Sequence, residues 1–230
     1  VDAEVPFDVV RRNIGIPDTR EWVEPATGTQ PHLSFIDISD GKNGLALISH
    51  GLVEYEVQDN ETRTMLLTLL KSVRYPKVGL PAERVERLDQ IGSQCPGKHT
   101  SAYALYPHQG NWEEGQVFEC TYRHFTPLRA VQCGSSTGDL PLSHQLLKIK
   151  PEELILSAYK KYEIRKSVII RLFNPTDETI SGSIKCQKSI KKARLVNLNE
   201  EPRQEIPVEK GGELSIQVGH KKIVTLELEF

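Results

Sequence analysis

The chain reads as all-β, with a large antiparallel β-sandwich over about residues 1–145 followed by a smaller C-terminal β-sandwich over 150–230. Three observations predict this. Short runs of alternating or dense apolar residues recur along the whole length, each closed by Gly, Pro, Asn or Asp. The last run shows strict alternation in Val224, Leu226, Leu228 and Phe230. Between the two halves, Gly134 to Ser143 is small, polar and rich in turn residues, the composition of a boundary.

In order, the first strand is expected near Phe7 to Arg11. A long polar connection follows with Pro17, Pro25, Gly28 and Pro31, in which Trp22 is either a packing anchor for the loop, the expected role, or a sugar-stacking face. Leu33 to Ile38 and Leu45 to Ile48 flank the turn Asp40-Gly41-Lys42-Asn43-Gly44, the pattern of a β-hairpin. His50-Gly51 then punctuates a strand from Leu52 to Val57, where Glu54 and Glu56 point to one side and Tyr55 to the other. Met65 to Leu70 is a dense apolar strand, and Lys71 to Gly92 is a charged excursion with Pro76, Pro81 and the run Glu83 to Leu88.

The stretch Gln94 to Trp112 organises the first half. It opens on the Pro96-Gly97 turn, runs as a strand through Ala102 to Tyr106, and is expected to stop at Pro107 and turn at Gly110. His99 and His108 stand at its two ends, with Tyr103 and Tyr106 between them. Beyond it Asn111 can cap a short helix through about Phe125, which would put Val117, Thr121 and Phe125 on one face; a strand with Phe118, Cys120 and Tyr122 inward fits almost as well. Past the boundary, strands are expected at 155–159, 168–173, 180–186, 192–197, 213–218 and 223–230.

Composition narrows the function. The formal net charge is -2 and charged residues make up 26%, so no broad field favours nucleic acid or an acidic membrane. No apolar run reaches the roughly 20 residues that span a bilayer. The four cysteines, Cys95, Cys120, Cys133 and Cys186, form no C-x-x-C pair and read as free thiols of a cytoplasmic protein. The chain does not begin with Met, and it is expected to be a piece of a longer polypeptide.

Three blocks carry a resemblance. Gly97-x-His99 with Tyr103-Ala-Leu-Tyr-Pro-His108-x-Gly110 looks like a signature of the C-terminal β region of glycoside hydrolase family 38, the α-mannosidases of bacterial type. Phe35 to Gly41 leading to Gly44 through Val57, continued by Leu66 to Ser72, resembles the same region. Ile170 to Pro175 with Ala193 to Glu200 resembles the family's last small β domain. One departure is Ser101, where relatives often carry Phe. The resemblance implies a supersandwich of galactose-mutarotase type that continues upstream. It also implies a retaining α-mannosidase whose zinc ligands and aspartate nucleophile lie in an N-terminal catalytic domain, this segment's partner.

None of that chemistry maps onto this chain: the seven histidines include no His-x-Asp pair, and there is no G-x-S-x-G elbow, P-loop, H-E-x-x-H or Rossmann glycine pattern. No catalytic or metal-binding residue is therefore expected here, and Glu54 with Glu56 reads as a solvated face rather than an acid pair. The expected role is to support the catalytic domain and its α-mannoside site. His50 and Glu54 are the first candidates to support that pocket, because a polar, flexible turn sits between two apolar strands; His99 and Tyr103 are the second. The alternative is a stand-alone carbohydrate-binding or structural β module.

Overall fold

A computed structural model describes residues 1–23, 25–73, 91–135, 137–139 and 141–230. Sixteen strands and one α-helix are assigned among them. No helix of the described residues is long and apolar enough to cross a membrane. The chain falls into two compact units, one of Val1–Val5 with Val10–Thr121, the other of Pro6–Val9 with Tyr122–Phe230.

The first unit contains β1 (Asp2–Val5), the second half of β2 (Asp8–Arg11), β3 (Thr29–Pro31), β4 (Phe35–Ser39), β5 (Asn43–Ser49), β6 (Glu54–Val57), β7 (Met65–Leu67) and β8 (Tyr103–Gln109). The hairpin read from the sequence is β4 and β5, in register from Phe35 opposite Ile48 to Ser39 opposite Gly44. The Asp40 carboxylate accepts from the N–H groups of Lys42 and Asn43 at 2.8 Å each, which closes the turn. One sheet has the order β2-β1-β4-β5-β8 and the other the order β3-β6-β7. Ala3, Ile36 and Leu47 of the first pack with Tyr55 and Val57 of the second to form the core. Tyr55 is buried while Glu54 and Glu56 stay half-buried on the opposite side, as the period of two requires.

The second unit contains β9 (Leu147–Lys150), β10 (Ile155–Lys161), β11 (Val168–Asn174), β12 (Ile180–Cys186), β13 (Lys192–Val196), β14 (Pro202–Ile206), β15 (Glu213–Val218) and β16 (Lys222–Glu229). Sheets β10-β11-β16-β13-β14 and β15-β12-β9 face each other across a core of Ile170, Leu172, Leu226 and Leu228 against Ile184, Leu214 and Val218. The alternation in β16 tells only half of its story, for Thr225 and Glu227 on its other face are buried too. Glu227 is held by Arg194 at 3.2 Å, Arg165 at 3.2 Å and the Ser167 hydroxyl at 2.8 Å. A buried carboxylate persists only with such pairing.

Several expectations are corrected. The central strand does not stop at Pro107: β8 runs on to Gln109, because it lies at the edge of its sheet, where a missing N–H costs no ladder bond. The strand at Met65 ends at Leu67, and the helix, α1 (Val117–Phe125), begins only after a series of turns. Of its predicted face, Val117 and Thr121 are fully buried. Trp22 does not anchor its loop; it is 60% exposed. The strands β1, β3, β9 and β14 were not foreseen, and the charged run Glu83 to Leu88 lies outside the described residues.

Candidate functional site

The register of β5 with β8 sets Ser49 opposite Tyr103, and the N–H of His50 donates to the carbonyl of Ala102 at 3.4 Å. His50 and Tyr103 are therefore brought to one end of the same sheet, both exposed. Gly51 turns the chain there with φ of +81°, a conformation that suits glycine. The other two predicted residues are engaged locally. His99 bonds through Nε2 to the carbonyl of Cys95 at 2.9 Å, inside its own turn. Glu54, on the other sheet, accepts from Lys71 Nζ at 2.9 Å and Thr68 Oγ1 at 3.0 Å. Lys71 first, and then Thr68, hold its carboxyl below the usual carboxylate range. Glu54 is thus a fixed anion, unsuited to giving up a proton near neutral pH.

Beneath the His50 turn lies a histidine that sequence reasoning did not single out. His32 Nε2 is 2.8 Å from Ser49 Oγ, which itself donates to the carbonyl of Leu52 at 2.8 Å. Since the hydroxyl has one proton and spends it on Leu52, the imidazole is the donor and carries its hydrogen on Nε2. Nδ1 is buried and makes no hydrogen bond among the described residues. Burial, and then the Arg12 charge, lower the His32 pKa to about 4. A neutral histidine thus fastens both ends of the turn that presents His50.

A second constellation explains the signature around β8. His108 Nε2 lies 2.8 Å from Asp37 Oδ1, and the two side chains are 2% and 0% exposed. Burial raises the Asp37 pKa against the opposing pull of the His108 hydrogen bond. The imidazole is pressed between two glycines: a Cβ on either Gly44 or Gly115 would overlap its ring atoms. Tyr106 stacks on His108 at 5.7 Å between centroids and donates to the carbonyl of Gly115 at 3.0 Å. Ser39 Oγ donates to the carbonyl of Gly110 at 2.6 Å, and the Gly110 N–H reaches Lys42 O at 2.9 Å. Asn111 and Glu114 complete a reciprocal cap, Oδ1 accepting from Glu113 and Glu114 and Glu114 Oε2 from the Asn111 N–H at 3.1 Å.

Tyr106, His108 and Gly110 therefore lock the turns 110–116 onto the sheet. Sealed from solvent, the Asp37–His108 pair has no access to a substrate, so its work is to position this segment. The one local sign of it was an aspartate between Ile36 and Ile38 in an otherwise apolar strand. Glu4 is a further buried acid on β1: burial pushes its pKa up to about 7, and Oε2 makes no hydrogen bond among the described residues. No group of three or more His, Cys, Asp or Glu side chains among the described residues is arranged to hold a metal ion.

Residues 153–226 match the family model described as the glycosyl hydrolases family 38 C-terminal beta sandwich domain. Over 99% of its length the chain is 27% identical to a protein of Halalkalibacterium halodurans provisionally named a mannosylglycerate hydrolase, of which it covers 24%. Against alpha-mannosidase 2C1 of Mus musculus it is 23% identical over 82% of its length, covering 16% of that protein. An alpha-mannosidase structure from Enterococcus faecalis V583 superposes with a TM-score of 0.78 at 24% identity, over 99% of this chain and 24% of that one. A family 38 protein from Enterococcus faecalis gives 0.76 at 23% identity, with the same coverage. These structures share its fold. The chain spans about a quarter or less of the length of the curated relatives it matches.

Proposed function

We propose that the chain is the C-terminal β portion of a family 38 glycoside hydrolase, a retaining hydrolase of α-mannosides in which it buttresses the catalytic domain and shapes its sugar site. The observation that carries this is its alignment, along nearly the whole of its length, with one quarter of a relative provisionally named for mannosylglycerate hydrolysis. On this reading residues 1–145 close a large sandwich that begins upstream, and 150–230 form the small terminal sandwich. The polypeptide works in the cytoplasm. The substrate is an α-mannoside, with a mannosyl group on a small acid as one form suggested by that relative.

The zinc implied by the family does not fit this segment. The described residues offer no ligand cluster, the Asp37–His108 pair is sealed and spent on itself, and Glu54 is neutralised by Lys71. The metal and the catalytic carboxylates belong to the partner domain, and no step of the reaction runs through this chain's side chains.

Its contribution is geometric. His32 and Ser49 fix the turn that presents His50 beside Tyr103, and we assign this end of the sheet, with Glu54 and His99 in support, to the wall of the mannose pocket. The test uses the longer gene product. His50→Ala with Glu54→Gln is expected to lower kcat/KM for an aryl α-mannoside about 10-fold or more, at unchanged thermal stability. Wild-type kcat/KM in a stable double variant would overturn the assignment.

A further inference from the structure

A cavity of about 900 Å³ lies in the first unit, where the segment 12–17 follows β2, β3 begins and β6 ends. β3 and β6 are antiparallel, with Thr29 opposite Glu56 and Pro31 opposite Glu54, so the start of one and the finish of the other share an end of the ribbon. Gly15, with φ of +102°, bends the segment 12–17 into the remaining wall. Gln30 pairs opposite Tyr55 and faces the other side of the ribbon from Glu56, so the cavity reaches round the ribbon's end. Its volume is that of a small-molecule pocket, and none of its lining residues belongs to the turn that presents His50.

The polar groups that line it are held in place but have little to bind. Glu56 is half-buried, and its carboxylate makes no hydrogen bond or ion pair among the described residues. Room is kept for it at Gly28, where a Cβ would come within 2.8 Å of the Glu56 carboxyl. Arg12 is fixed through Nη1 alone, which donates to the carbonyl of Pro31 and lies 3.4 Å from Tyr55 Oη. Its Nε and Nη2 are left as donors, and it forms no ion pair with Glu56 among the described residues. The side-chain amides of Asn13 and Gln30 are likewise unengaged there, and Gln58 uses only its oxygen, which accepts from Asn60 at 3.3 Å.

We propose that this cavity binds a neutral, polyhydroxylated ligand of about the size of one sugar ring. The charges select it. An anion would meet the Glu56 carboxylate and a cation the Arg12 guanidinium, while Asp59 is already paired with Arg63. A hydroxyl suits both, since it donates its proton to a carboxylate and accepts from a guanidinium or an amide. Several hydroxyls on one small frame can therefore bridge two fixed charges that do not reach each other. Ile14, Ile16 and Pro17 give the apolar wall against which the C–H groups of a ring can rest. The site needs neither the catalytic domain nor the hydrolase reading.

Titration of the ¹⁵N-labelled 230-residue chain with methyl α-mannoside, methyl α-glucoside and methyl β-galactoside, followed by amide chemical shifts, tests this. At least one pyranoside is expected to shift Gly28, Gln30 and Gln58 saturably, with a Kd on the order of 1 mM. Glu56→Ala, which removes a carboxylate that holds nothing in the fold, is expected to melt as the wild type does and to bind at least about 10-fold more weakly. Asn13→Ala, at an exposed position, is expected to weaken binding by about 2- to 10-fold. No saturable shift with any of the three sugars, or unchanged affinity in both variants, overturns the site. Shifts confined to His50, Gly51 and Tyr103 belong to the mannose wall assigned above and also overturn it. Tighter binding of acetate or ethylammonium at the same amides overturns the neutral ligand, and equal binding of glycerol overturns the ring.

Discussion

Substituting Gly115 with Ala probes the lock built around His108. No left-handed backbone conformation is at stake at Gly115, so the effect is steric. The new Cβ overlaps the imidazole, which is 2% exposed and enclosed on its other side at Gly44. The ring can yield only by giving up its 2.8 Å bond to Asp37, a carboxylate with no exposed surface. Breaking such a buried pair by displacing one partner costs about 3 to 5 kcal/mol. In a His108→Ala background the space is vacant, and the same change should cost less than about 1 kcal/mol, a coupling that a double-mutant cycle isolates. Urea unfolding followed by tryptophan fluorescence reads it out, since Trp112 is 7% exposed in the affected turns while Trp22 is already largely in solvent. Equal destabilisation by Gly115→Ala in both backgrounds, or none in the wild type, would refute the cradle.

Other consequences can be checked alongside. Glu4, with a pKa of about 7 against an ordinary 4.5, keeps its proton longer when folded, so its contribution is full below 4.5 and is lost as pH rises through 7. At about 1.36 kcal/mol per pH unit that span is roughly 3 kcal/mol, which Glu4→Gln should remove from the decline in denaturant stability between pH 4.5 and 7.5. His32 acts with the opposite sign: its pKa falls from 6.5 to about 4, so its contribution is full above 6.5 and is lost as pH falls toward 4. His32→Gln should therefore flatten the acid side, and unchanged profiles in both variants would contradict the burial of these groups. In the second unit, Asn174 Nδ2 donates to the carbonyls of Glu178, Val218 and Gly219 at 2.7, 3.1 and 3.1 Å. Asn174→Asp faces those carbonyls with an oxygen and should destabilise by about 3 kcal/mol or more in thermal unfolding, whereas a neutral result would mean the knot is dispensable.

Elements whose period reports their burial were legible in the sequence. β12 and β15 were read with their observed bounds because apolar residues alternate toward a single core. β3 and β14 were missed for a physical reason: Thr29-Gln-Pro and Pro202-Arg-Gln-Glu-Ile bury little of their own, and they are strands because a neighbour pairs with them. Pro107 misled because the rule against proline in strands belongs to central strands, and edge position is a property of topology. At the site, His50 was legible as a polar turn between apolar strands, but its place beside Tyr103 was not, because only the pairing of β5 with β8 brings the two together. The Asp37–His108 pair could not, since 71 residues separate its members and only the register of β4, β5 and β8 brings them together. The β8 motif was recognised by its wording, while its physical meaning, a stacked tyrosine and a histidine between glycines, appears only in three dimensions.

The most direct measurement is zinc-dependent release of the leaving group from an aryl α-mannoside, assayed in parallel for the purified 230-residue chain and for the longer gene product. A supporting β portion that holds neither metal ligands nor catalytic carboxylates predicts turnover by the long protein alone, and none by the short chain with or without zinc. Turnover by the short chain that follows zinc and co-purifies with it through a final ion-exchange step would contradict the account.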